Sequence, residues 1–70
     1  MKTMKKQEVI NKLLTWYFVN KSNFETSVAP ETKAYYDGKM VVLNNVLYEL
    51  YNIDSLEYTF NIPEQTAYKV

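Results

Sequence analysis

The chain has 70 residues, a formal net charge of zero, and no cysteine, histidine or arginine. These absences exclude disulfide support, the usual thiol nucleophile and imidazole base, Cys/His zinc sites and guanidinium clamps on phosphate. With 47% hydrophobic residues the composition is that of a folding chain, read as a single α+β domain spanning 1–70.

At this length only about 60% of the unfolded surface is buried, so the core must draw on dense aromatics or on a partner. Tyrosine alone contributes seven residues. Phe, Tyr, Met, Ile, Asn and Lys make up 31 residues against 6 of Gly, Ala, Arg and Pro, a bias towards AT-rich codons. It suggests a low-GC bacterium, its phage or a plasmid as the source. No secretory or membrane-spanning segment stands out, because Asn11, Lys12 and Thr15 interrupt the apolar part of the first segment. A cytoplasmic location is the expectation. Charge is uneven: residues 1–21 carry +4 and residues 22–70 carry −4. The simplest account is a solvated basic helix beside a mildly acidic remainder.

Residues 1–4 are expected to fray. From 5 to 20 the pattern is helical, with Val9, Ile10, Leu13, Leu14, Trp16, Tyr17 and Phe18 in one wide arc and Glu8, Asn11, Lys12 and Thr15 opposite. Thr3 is the candidate N-cap, and Glu8 and Lys12 form a favourable i,i+4 pair. The arc is wider than a small sheet needs, which leaves Trp16 or Phe18 at its edge for a partner. Asn20 to Asn23 is expected to end the helix, with asparagine as the left-handed cap. Residues 23–32 read as a loop in which Pro30 holds Ala29 extended.

A β-meander is expected next. Residues 33–36 form a first strand, Asp37-Gly38 a type I′ turn, and 39–43 a second strand. Asn44-Asn45 is a second turn and 46–51 a third strand. Residues 52–55 turn the chain again, and 56–62 alternates cleanly as a fourth strand, with Leu56, Tyr58, Phe60 and Ile62 facing inward. A rival pattern runs through 39–53, where Met40, Val42, Leu43, Val46, Leu47, Leu50, Tyr51 and Ile53 share one side of a helix with Asp37 as N-cap, giving an αβαβ order. The adjacent asparagines and Val41-Val42 favour the hairpin. The tail, 63–70, is expected to be a short helix with Pro63 at N1 and with Ala67 and Val70 docked on the core. The expected fold is therefore an N-terminal amphipathic helix packed on a small antiparallel meander, closed by a short C-terminal helix.

No residue pattern specifies a reaction. Glu25 with Glu31, and Asp54 with Glu57, read as solvated surface carboxylates; no catalytic residue, cofactor or metal ligand is assigned. One glycine cannot build a phosphate loop. A nucleic-acid role would use Lys2, Lys5, Lys6 and Lys12 with stacking tyrosines. It is disfavoured by zero net charge and the lack of arginine. No small-molecule substrate or membrane partner is implied. Binding to another protein, or to a second copy as a homodimer, is the expected role, because tyrosine and tryptophan dominate interface hot spots. Trp16, Phe18, Tyr35, Tyr36 and Tyr51 are the candidate contact residues, while Tyr17, Tyr48 and Tyr58 are expected inside. In size and composition the chain is comparable to small phage and mobile-element proteins that modulate or inhibit a host protein.

Overall fold

The computed structural model describes residues 5–61 and 63–70. The expected cap at Thr3 and inward position at Ile62 lie outside the described residues. The order is two long helices followed by a two-stranded antiparallel hairpin: α1 (Lys6–Thr26), α2 (Pro30–Tyr51), a 3-10 turn (Ser55–Glu57), β1 (Tyr58–Asn61) and β2 (Thr66–Lys69).

Helix α1 runs one and a half turns past its expected end. Its polar tail has no proline or glycine to stop it, and two side chains return to the last turns. Thr26 Oγ1 donates to the Ser22 carbonyl at 3.0 Å, and Ser27 Oγ donates to the Asn23 carbonyl at 2.6 Å. The chain reverses through 27–29. Ala29 is extended before Pro30, and the first bond of α2 runs from the Lys33 N–H to the Ala29 carbonyl at 3.0 Å. The last turn of α1 holds no cation of its own. Lys33 supplies one from α2: its Nζ donates to the Phe24 carbonyl at 2.9 Å and sits 4.6 Å from the Phe24 ring centroid. This contact near the reversal, and Leu14 meeting Leu47 far from it, make the two helices an antiparallel pair.

The expected meander does not form. Residues 33–51 are helix throughout, so the strands at 33–36, 39–43 and 46–51 and both turns are corrected. Gly38 has no positive φ, which a type I′ turn would demand. Gly38, the paired valines and the paired asparagines together cost the helix on the order of 2–3 kcal/mol in propensity. Burying leucine-sized side chains against α1 returns about 1.5–3 kcal/mol each, and Leu47 is fully buried with Leu43, Val46 and Tyr51 partly so. Asn44 is also used: the hydroxyl of Ser55, itself buried, donates to its Oδ1 at 2.6 Å. The αβαβ alternative is also corrected: α2 is helical through 39–51, but it starts at Pro30 rather than after an Asp37 cap, ends at Tyr51 rather than at 53, and leaves no strand at 33–36.

Asn52 is the left-handed residue that ends α2 (φ 55°, ψ 40°). Its N–H reaches the carbonyls of Leu47 and Tyr48, and the Ile53 N–H reaches the Leu47 carbonyl at 3.0 Å. Replacing Asn52 with valine is expected to cost about 1–2 kcal/mol, since β-branching clashes in the left-handed region, whereas glycine leaves stability within a few tenths. Urea unfolding of the two variants measures this.

The tail is a turn followed by strand β2 rather than a helix, and Val70, expected on the core, is exposed. Eight residues are too few for a stable helix, and β1 offers a ladder instead. Tyr58 pairs with Lys69, Thr59 with Tyr68, Phe60 with Ala67 and Asn61 with Thr66. Gln65 takes a positive φ of 50° at the turn, where Asn61 Oδ1 accepts the Glu64 N–H at 3.2 Å. Strand β1 covers only part of the expected 56–62 segment, and Leu56 is exposed rather than inward. The hairpin packs on α1, so Ala67 joins Ile10, Leu14 and Leu47 in the core. Leu13, Phe18, Tyr51, Ile53, Tyr58 and Phe60 surround that cluster. One side of the helix pair is thereby covered and the other is left open. Among the described residues no helix is long and apolar enough to cross a membrane.

Candidate functional site

The open side of the helix pair holds a groove of about 740 Å³. Trp16 and Asn20, one turn apart on α1, form one wall, and Tyr35, Gly38, Lys39, Val42 and Leu43 on α2 form the other. Trp16 is 49% exposed, Tyr35 57% and Val42 60%. The Asn20 amide does not face an unpaired void, because its Nδ2 donates to the Trp16 carbonyl at 2.7 Å. The groove lining is mostly apolar, and the Asn20 amide N–H that faces it is already bonded to the backbone of α1.

Two cations stand at this face. Lys39 Nζ lies 4.6 Å from the Tyr35 ring centroid, and Lys12 Nζ lies 6.0 Å from the Trp16 centroid. Such contacts are worth about 0.5–1 kcal/mol at exposed sites, enough to bias each lysine towards the groove rim. Among the described residues the single ion pair within 4.0 Å joins Lys69 of β2 to Glu57 of the 3-10 turn, so neither rim lysine is in an ion pair and the expected Glu8–Lys12 pair does not form.

The structure distributes the five candidate residues between two places. Trp16 and Tyr35 come together in the groove, and Tyr36 sits beside them with its ring edge-on to Tyr35 at 5.2 Å. Phe18 and Tyr51 pack against the core instead. Phe18 stacks on Phe60 at 5.6 Å with an 11° interplanar angle and meets Tyr17 edge-on. Tyr17 and Tyr58 lie inside or against the core, but Tyr48 is exposed on the far side of α2, contrary to expectation. Gly38, Lys39 and Val42 were missed as groove residues. Their signal was present in the helical spacing of 35, 38, 39 and 42, which a strand assignment hides.

A second depression, about 490 Å³, lies between α1 and the hairpin, with Phe18, Phe60, Lys21, Glu25, Thr59 and Gln65 on its walls. Its chemistry is mixed and gathers no set of reactive groups. Among the described residues no cluster of three acidic, histidine or cysteine side chains could hold a metal ion. The Tyr68 hydroxyl donates to Glu64, and this bond pushes the phenol above the ordinary tyrosine range. That pair lies on the exposed face of the hairpin, away from the groove.

Comparison of the chain with protein-family models, with curated proteins and with solved structures finds no match.

Proposed function

We propose that this chain is a non-catalytic protein-binding module, of the kind phages and mobile elements use to modulate or inhibit a host protein, and that its partner sits on the open face of the helix pair. The observation that carries this is the pairing of Trp16 and Tyr35, each about half exposed, around an apolar groove. Large, stiff aromatics give contact area at low entropic cost, and their truncation at a hot spot costs about 2 kcal/mol or more. Alanine at either position is therefore expected to weaken partner binding about 30-fold. Tyr48→Ala, an equally exposed aromatic outside the groove, is expected to leave binding unchanged. Affinity capture from lysate of the source cell with the three variants tests this. Recovery of the same proteins by Trp16→Ala and Tyr35→Ala as by wild type would sink the groove as the site.

A second reading, self-association, has an observation of its own. Helix α2 is apolar on several sides, yet Val41, Tyr48 and Leu50 are exposed away from the groove. Sedimentation equilibrium at micromolar concentration decides it: a dimer supports a second copy on these faces, and a monomer removes it.

A further inference from the structure

We propose that the groove receives a single amphipathic helix whose apolar stripe is flanked by carboxylates. The proposal rests on the reading that this face binds a protein, and adds which kind of segment it takes.

The first ground is backbone chemistry. Both walls are helices, whose N–H and C=O groups are bonded internally, and the floor is made of side chains. An extended segment laid here would bury its own N–H and C=O groups without partners, at a cost that recurs at every residue. A helix satisfies its own backbone and brings only side chains to the surface.

The second ground is shape. Tyr35, Gly38, Lys39 and Val42 stand at i, i+3, i+4 and i+7 and all line the groove. That diamond of four residues is the hole into which a neighbouring helix inserts a knob. Gly38 makes the hole deeper than any other residue would. Its absent Cβ would meet no heavy atom within 4 Å, so packing within this chain does not require glycine there. Mid-helix glycine destabilises a helix relative to alanine, and here that cost leaves room for a side chain from outside.

The third ground is charge. Lys12 and Lys39 flank the aromatic floor without carboxylate partners among the described residues. Acidic residues beside an incoming apolar stripe would meet them, and like charges would be repelled. The same lysines disfavour a second copy at this face, since a two-fold contact centred on the groove would bring Lys39 against Lys39.

The test uses the sole tryptophan, Trp16, as reporter. Two synthetic helical peptides without tryptophan share one leucine stripe, flanked by glutamate in the first and by lysine in the second. Each is titrated into the full chain at low and at moderate salt. The glutamate peptide is expected to shift Trp16 emission to the blue and to bind at least ~10-fold tighter than the lysine peptide, the gap narrowing as salt rises. Lys12→Glu with Lys39→Glu is expected to reverse the order. Gly38→Leu, which favours the helix but fills the hole, is expected to weaken the glutamate peptide at least ~10-fold while circular dichroism stays helical. Equal binding of both peptides, or no binding of either, overturns the proposal. A blue shift that follows the chain's own concentration also overturns it, in favour of a second copy. None of these failures removes the reading that the groove is where a protein binds, which falls only if capture is indifferent to Trp16 and Tyr35.

Discussion

Leu47→Ala is expected to leave this chain largely unfolded. Leu47 and Leu14 are both 0% exposed and face each other where α1, α2 and the hairpin converge. Truncating a fully buried leucine costs about 2–5 kcal/mol, through lost transfer energy and the cavity left behind. A core of this size rarely supplies more than about 3–5 kcal/mol in total. One substitution therefore removes most of the margin, and Leu14→Ala should do the same. Val42→Ala, on the open face, is expected to change stability by no more than about 0.5 kcal/mol. Urea unfolding followed by far-ultraviolet circular dichroism measures all three. Cooperative unfolding of Leu47→Ala at the wild-type midpoint would show that the core lies elsewhere.

Gly38→Ala is expected to stabilise the chain by about 0.5–1 kcal/mol, and Gly38→Pro to destabilise it by about 3 kcal/mol or more. The sign of the alanine effect separates the two structures this segment could adopt. In the middle of α2, where φ is negative and a Cβ meets nothing, alanine relieves the backbone entropy cost. In an Asp-Gly type I′ turn the same alanine would be forced to positive φ and would destabilise. Proline strikes α2 at its centre, where it removes one helical bond and clashes with the preceding turn. If alanine lowered the unfolding midpoint, the helical assignment of 33–51 would fail, and with it the groove.

The candidate site was half legible. Trp16 lies on a helix whose period is plain, so its place at the edge of the apolar arc could be read directly. Tyr35 reads as a contact residue from its type, but on a strand. The residues that give the groove its shape, Gly38, Lys39 and Val42, become a set only on a helix. Phe18 and Tyr51 were equally reasonable as exposed aromatics. They are covered because the β-hairpin packs on their side of the helix pair, a choice made by Phe60 stacking on Phe18 and by Ala67 fitting against Leu14 and Leu47.

What the sequence determined by itself was whatever depends on residue type or local period. Missing His, Cys and Arg withhold the commonest catalytic and metal-binding groups, and the 3.6-residue spacing of Val9 to Phe18 specifies a helix. Pro30 sets Ala29 extended, and alternation over 56–62 marks a strand there, of which Tyr58–Asn61 forms. Only the tertiary structure decided the rest. Asp37-Gly38 and Asn44-Asn45 are compatible with turns, but α1 presents a helix of matching length against which Leu47 and its neighbours can be buried. That burial outweighs the few kcal/mol of poor propensity. The last eight residues follow the same logic. Too short for a helix alone, they turn and pair through Thr66–Lys69, because β1 lies within reach to complete those hydrogen bonds.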